Sequence, residues 1–285
     1  GKATFRQHLL NCQPNRDFWL TIFLCGFILT VKDGENMTKD AVYAALAGTE
    51  DYVSGSALAK ELGGTVCPNA QAAETAELLF LGVKPQGLPG LAGELAPVLQ
   101  ARKGNAPVVV SMATAVTLRE LDAMLGGGLP LIRIMPNTPA AVGAGTILYA
   151  AQNVTDAQLD AFRAVLAQAG LLLPLPEAQI DAASAISGCG PAFCFQFADA
   201  LALGGVRAGL SYPDACRLAA QTMLGAAEML LQGGEAPDVL KMRVCSPAGT
   251  TIEGVLALEQ GGFSYTVQNA VTAAYRRTVE MTRKG

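Results

Sequence analysis

Up to about Pro176 the chain alternates short apolar runs with segments whose apolar positions recur every three or four residues. Runs at 21–31, 78–83, 107–112, 131–135, 146–150 and 171–175 read as strands, and segments at 37–47, 56–62, 86–101, 116–125 and 155–169 read as helices. This alternation predicts an α/β fold with a mostly parallel sheet covered on both faces. Such sheets bind ligands at the carboxyl ends of their strands. The residues at those ends are Lys84-Pro85, Ser111-Met112-Ala113-Thr114 and Met135-Pro136-Asn137-Thr138-Pro139. Past Pro176 the pattern becomes alanine- and leucine-rich and helical, at 178–187, 191–209, 213–232, 236–243, 250–260 and 264–283. The segment 191–209 has little polar face, which predicts burial against another chain and an obligate dimer. The expected domains are 1–176, with 1–20 irregular and 21–55 atypical, and 177–285.

Composition narrows the function classes. The 285 residues suit one large or two ordinary domains. Half are apolar and 15% are charged, which gives ample core and argues against disorder. A net charge of −4 without a basic stripe excludes nucleic acid as the expected partner. Seven cysteines lie scattered between Cys12 and Cys245, none in a Cys-x-x-Cys pair. That usage predicts a reducing, cytoplasmic compartment and neither a disulfide framework nor a zinc site. Cys189 and Cys194 read as small buried apolar residues. The single histidine, His8, excludes multi-histidine metal centres and leaves no convincing Ser-His-Asp or Cys-His device. No metal is expected, and the chemistry should rest on a cofactor and hydroxyl groups. The apolar run from Phe18 to Val31 is too short to span a membrane and reads as a buried strand.

The most chemically suggestive stretch is residues 244–259. Ser246-Pro247-Ala248-Gly249 cannot continue a helix, and Thr250 with Glu253 fits a capping box before an apolar run that Gly261-Gly262 ends. A helix start with free N–H groups and two hydroxyls can hold a small anion. Taken alone, the same pattern also describes a merely capped structural helix.

Four motifs occur in order: Val83-Lys84-Pro85-Gln86, Arg133-Ile134-Met135-Pro136-Asn137-Thr138-Pro139, Ile186-Ser187-Gly188-Cys189-Gly190-Pro191-Ala192-Phe193, and Ser246-Pro247-Ala248-Gly249-Thr250-Thr251. Together they resemble the pyrroline-5-carboxylate reductase family, from about Ser56 to the C-terminus. The resemblance implies a Rossmann-like, doubly wound, mostly parallel sheet followed by an all-helical dimerisation domain, assembled as a homodimer or higher homo-oligomer. It implies hydride transfer from NADPH, with NADH possible, to the C=N bond of 1-pyrroline-5-carboxylate, giving proline with no nucleic-acid or membrane partner. By that likeness Asn69, Val83, Lys84, Pro85, Met112 and Ala113 would line the cofactor site. Ser246, Gly249, Thr250 and Thr251 would hold the substrate, with Glu177 as a further candidate and Thr251 as the catalytic hydroxyl.

The front of the chain departs from the family. No Gly-x-Gly occurs in the first sixty residues. The nearest match is Asp33-Gly34-Glu35-Asn36-Met37, where Asn36 and Met37 fit and two acidic residues replace the glycines of the phosphate turn. Little room remains between Gly48 and Ser56 for a second strand, and the segment Thr49 to Val53 is short and acidic. Cys189 replaces a serine, Ala248 replaces a glycine, and Thr114-Ala115 replaces Ala-Gly. Three readings follow. The first is an active reductase. The second is a relative that has lost dinucleotide binding and persists as a dimeric binding or scaffold protein. The third is another dehydrogenase of 6-phosphogluconate-like architecture, which the Ser-Pro-Ala-Gly-Thr-Thr helix start argues against.

Overall fold

The computed structural model describes residues 27–31, 42–46 and 65–282. The expectations for Asn36, Met37, the helix at 56–62 and the segment Thr49 to Val53 lie outside these residues. The chain divides into two compact units, one reaching Gly188 and regaining the chain from Arg277, the other Cys189–Arg276.

The first unit is built on an eight-stranded sheet. Its strands are β1 (Phe27–Val31), β2 (Val42–Leu46), β3 (Thr65–Cys67), β4 (Leu78–Leu81), β5 (Val108–Ser111), β6 (Leu131–Met135), β7 (Gly145–Gln152) and β8 (Gly170–Pro174). They lie in the order β3-β2-β1-β4-β5-β6-β7-β8. The pairings β4–β5, β5–β6, β2–β3 and β7–β8 are parallel, and those of β1 with β2, β1 with β4, and β6 with β7 are antiparallel. It follows that β2 through β6 all run one way and bring their carboxyl ends to one edge.

Continuous apolar runs make β4 and β5 central, with every residue buried. Alternation then sorts the side chains between the two faces. Leu79, Leu81 and Val109 join one core, while Leu78, Phe80, Val108 and Val110 join the other. Helix α1 (Asn69–Thr75) follows β3, and α2 (Leu88–Ala101) follows β4. Leu88, Leu91, Ala92, Leu95 and Leu99 of α2 recur at helical spacing and seal the first core. Helix α4 (Asp156–Leu166) contributes Phe162 and Leu166 to the second. Capping boxes start α3 (Leu118–Met124), through Thr117 and Glu120, and α4, through Thr155 and Gln158. Helix α5 (Glu177–Ser187) completes the described fold of this unit before Gly188 and buries Ile180 in the first core.

One predicted helix is a strand. Residues 42–46, inside the segment expected as a helix at 37–47, form β2, with Val31 opposite Val42 and Phe27 opposite Leu46. The sequence Val-Tyr-Ala-Ala-Leu opens on β-branched and aromatic residues, and ladders on both sides outweigh the mild helix preference of two alanines. Because β1 runs against β4 and residues 42–46 are a strand, the described residues 27–31 and 42–46 do not make the parallel strand and following helix that the motif required.

The second unit is helical: α6 (Gly190–Arg207), α7 (Tyr212–Gly233), α8 (Pro237–Arg243), α9 (Thr250–Gln260) and α10, whose full extent is Phe263–Thr282. Ser211 caps α7 by accepting from the Asp214 N–H, and Gly234 at φ 63° ends it. At Gly205 the α6 backbone comes so close that an added Cβ would lie 3.2 Å from the Ala215 side chain. Phe197 and Phe263 stack with ring centroids 5.6 Å apart.

Much apolar surface of this unit is uncovered in a single chain. Phe195 is 71% exposed, Leu231 81% and Tyr265 70%. In a single chain Cys194, on α6, is exposed and Cys189, at its N-cap, is half-buried, so neither is the fully buried apolar residue expected. An 18-residue window within Glu177–Arg207 has a mean hydropathy of 1.3, which by length and composition is apolar enough to cross a membrane.

Candidate active site

On the sheet unit the residues expected to hold a cofactor fall at the shared carboxyl edge of β3, β4 and β5. Lys84 is extended at φ −62°, ψ 151°, as a residue before proline must be, and Pro85 opens the short 3-10 turn Pro85–Gly87 that feeds α2. The Lys84 ammonium is exposed and has no ion-pair partner among the described residues. Val83 is buried in the first core, so its part is to anchor this turn. Past β5, the Met112 N–H donates to the Leu81 carbonyl (3.3 Å), and the Ala113 N–H donates to the Ser111 hydroxyl (3.3 Å). Ala113 is buried, which makes the floor here smooth and apolar. Ala115 then sits at φ 65°, a left-handed conformation that favours glycine, at the position where the family pattern has one.

Asn69 opens α1 at the end of β3. Its Nδ2 donates to Glu94 Oε2 of α2 at 2.9 Å, while its Oδ1 is buried and has no partner among the described residues. An exposed cation and a buried acceptor, both without a partner among the described residues, with an apolar floor on the same sheet edge, suit a ligand that carries phosphates, hydroxyls and a flat ring. On these residues a nicotinamide dinucleotide fits.

Glu177 has other bonds. Its Oε1 accepts from the Leu118 N–H (2.6 Å), satisfying the start of α3, and lies 3.5 Å from Arg133 Nη1. Arg133 on β6 is 2% exposed and also pairs with Asp181 through Nη2 at 2.6 Å. Asn137 is likewise engaged: its amide donates to the Ser187 carbonyl (2.9 Å), and its Oδ1 accepts from the Thr146 N–H (2.8 Å). The Met-Pro-Asn-Thr-Pro motif thus ties β6, β7 and α5 together. Sequence reading named Arg133 only as part of a motif and missed Asp181 and Glu94, whose partners are far along the chain.

On the helical unit, Ser246 to Thr251 form a turn into α9. The Gly249 N–H donates to the Ser246 carbonyl (3.0 Å). A Cβ on Gly249 would lie 2.3 Å from Ser246 Oγ and 3.0 Å from the Ser246 carbonyl oxygen, so a side chain here would force the Ser246 hydroxyl to move. Ala248 holds the turn at φ 55°. Just upstream, Arg243 and Glu235 form an ion pair that closes the two ends of α8 on each other.

The capping box expected from Thr250 and Glu253 is absent. Gly249, extended at φ −81°, ψ 168°, is itself the N-cap, and no side chain accepts from the first turn. Thr250 and Thr251 therefore lie inside the helix, and the N–H groups of that turn stay open. Ser246, Thr250 and Thr251 are all exposed. An uncapped helix start leaves its donors open at the positive end of the helix, a better anion site than a capped helix would be.

Comparison with known proteins adds three findings. Residues 177–281 match the family model described as pyrroline-5-carboxylate reductase dimerisation. Over 220 residues the chain is 41% identical to the pyrroline-5-carboxylate reductase of a Synechocystis species, covering 76% of this chain and 79% of that one. Two solved structures are similar at 27% identity. That of the Coxiella burnetii pyrroline-5-carboxylate reductase has a TM-score of 0.77 and covers 97% of this chain and 94% of that one. That of the Plasmodium falciparum pyrroline carboxylate reductase, which has NADP bound, has a TM-score of 0.73 and covers 86% and 88%.

Proposed function

This chain belongs to the pyrroline-5-carboxylate reductase family, and from that premise we propose that it transfers hydride from a reduced nicotinamide dinucleotide to the C=N bond of 1-pyrroline-5-carboxylate, giving L-proline. The observation that carries the reading is the uncapped start of α9 behind Ser246-Pro247-Ala248-Gly249.

The substrate carries a carboxylate and a ring imine. The open N–H groups at Thr250 and Thr251, with the Ser246 hydroxyl, donate to the carboxylate at the positive end of α9. Fixing the carboxylate fixes the ring and the imine carbon that is to be reduced. The Thr251 hydroxyl hydrogen-bonds the ring nitrogen; it orients and relays, since a threonine is a poor acid and the imine can arrive protonated. Glu177, implied by the family likeness as a further substrate residue, instead serves the ion pair with Arg133 and the start of α3. The dinucleotide, when bound, supplies the hydride. Lys84 offers charge to its phosphates, Asn69 an acceptor, and Met112 and Ala113 an apolar rest for the nicotinamide side. Asn36 and Met37 are the remaining candidates for that site. The family likeness implies NADPH, with NADH possible.

Residues 1–176 then form the cofactor domain, and residues 177–285 the dimerisation and substrate domain. The apolar faces of α6, α7 and α10 are covered by a second copy of the chain in a homodimer or higher homo-oligomer, which also accounts for the apolar stretch Glu177–Arg207 without a membrane. The protein works in the cytoplasm.

A second reading draws on β2, which stands where the helix after a phosphate turn was expected, and on Asp33 and Glu35. In it the chain keeps the substrate turn but no longer binds dinucleotide. Titrating NADPH and NADH while following their fluorescence separates the two readings. Saturable binding well below about millimolar supports the reductase, and its absence supports the second reading.

A further inference from the structure

The loop 112–117 carries Met112 and Ala113, and it is held more firmly than helix capping alone requires. It leaves β5 at Ser111 and ends at Leu118, the first residue of α3. Within it Ala115 sits at φ 65°. A residue other than glycine persists there only where its surroundings over-determine it. Local bonds supply part of that restraint. The Ser111 hydroxyl accepts from the Ala113 N–H (3.3 Å), and Thr117 and Glu120 cap α3 reciprocally.

The rest of the restraint comes from a distant element. The Leu118 N–H donates to Glu177 Oε1 of α5, 59 residues further along the chain, at 2.6 Å. The capping box does not use this donor, so without Glu177 the Leu118 N–H would be an orphan of the helix start. Arg133 in turn holds Glu177. Its Nη1 lies 3.5 Å from Glu177 Oε1, and its Nη2 lies 2.6 Å from Asp181 Oδ1, about one turn further along α5. The Arg133 side chain is 3% exposed, so its charge serves these two carboxylates rather than water. Ser111 and Arg133 are also paired in register across β5 and β6. Both ends of the loop are thus tied to one place in the sheet. One end is the strand neighbour of Arg133, and the other is bound by the carboxylate that Arg133 holds.

We propose that Glu177, with Arg133 behind it, is a positioning residue for hydride transfer: by accepting from the Leu118 N–H it fixes the loop on which the nicotinamide rests. The effect passes through the loop backbone and needs no contact between Glu177 and the substrate or dinucleotide. Hydride transfer depends on how donor and acceptor carbons are set, and a misplacement of about 1 Å can cost about 100-fold. The proposal rests on the reading of the chain as a dinucleotide-dependent reductase.

The test compares the full chain with Glu177→Ala, which removes the acceptor, and Glu177→Gln, whose amide oxygen can still accept from the Leu118 N–H. Thermal melting sets a temperature at which all three are folded. Hydrogen exchange of a peptide spanning 112–118, followed by mass spectrometry without dinucleotide, reads the loop itself. Steady-state kinetics with dinucleotide deuterated at the transferred position reads the hydride step. The Glu177→Ala loop should exchange about tenfold faster than the parent's, and the Glu177→Gln loop nearly as slowly as the parent's. In Glu177→Ala, kcat should fall about 10- to 100-fold with a larger isotope effect, while the KM for 1-pyrroline-5-carboxylate stays within about twofold. Glu177→Gln should restore most of the rate. Parent-like loop exchange in Glu177→Ala, a kcat within about twofold of the parent, or a Glu177→Gln variant as impaired as Glu177→Ala overturns the proposal and leaves the reductase reading intact. A raised KM with unchanged kcat also overturns it, since Glu177 would then serve substrate binding. A folded parent chain that oxidises no dinucleotide overturns the reductase reading and the proposal with it.

Discussion

Replacing Ala248 by glycine should stabilise the protein, although glycine usually does the reverse. Ala248 sits at φ 55° in the turn before α9. An L-residue in the left-handed region is strained by roughly 1–2 kcal/mol, because its Cβ crowds the following carbonyl oxygen. Glycine removes that strain but gives the unfolded chain more freedom, which costs about 0.4–1 kcal/mol. Strain relief outweighs the lost entropy, so Ala248→Gly should gain about 0.5–1 kcal/mol. The substituted position is exposed, so little packing is lost with the methyl group. In a chain of this size the gain corresponds to a rise in Tm of about 1–4 °C. Circular dichroism melting at one fixed protein concentration reads it, since assembly makes Tm concentration-dependent. The opposite control is Ala248→Val, whose branched side chain tolerates this backbone poorly and should lower Tm. If Ala248→Gly lowers Tm, or Ala248→Val leaves it unchanged, the left-handed turn is not a source of strain and the reasoning fails.

Other outcomes follow from the same geometry. Thr251→Ala should lower turnover about 10- to 100-fold, the worth of one hydrogen bond to the reacting group, with dinucleotide affinity unchanged and Thr251→Ser restoring most of the loss; weakened dinucleotide binding with normal turnover would refute its role. Arg133→Leu strands Glu177 and Asp181 beside a buried surface and should cost about 3 kcal/mol in urea unfolding, whereas a variant as stable as the parent would show the cluster to be dispensable. The Tyr212 phenol is pushed up to about 12, first by its hydrogen bond to Asp199. Ultraviolet titration should find one tyrosine ionising late, and Asp199→Ala should bring it back toward the ordinary value near 10. Because the folded value is raised, this stabilisation is present below the unfolded value and is lost as pH rises through about 12.

The parts of this protein that sequence reveals are those fixed by local pattern. The apolar runs of β4 and β5 read as buried strands, and the spacing of Leu88, Leu91, Leu95 and Leu99 reads as a helix on a sheet. Residues 42–46 mislead because two alanines suit either state, and pairing with strands distant in sequence decides the matter. At α9 the motif is legible but its cap is not. Gly249 takes the extended N-cap conformation, which moves both threonines one place into the helix. The departures from glycine at Ala115 and Ala248 are visible as substitutions, yet only the backbone shows that both sit at positive φ. The pairs Asn69–Glu94 and Arg133–Asp181 span 25 and 48 residues, beyond the reach of any local pattern.

The central claim is that this chain reduces 1-pyrroline-5-carboxylate with a dinucleotide hydride. It is tested most directly by supplying the purified protein with 1-pyrroline-5-carboxylate and NADH or NADPH, and measuring dinucleotide oxidation and L-proline together. The account predicts proline formed mole for mole with dinucleotide oxidised, at a rate that collapses in Thr251→Ala. Dinucleotide that stays reduced while the substrate is present in excess, with no proline formed, would contradict it.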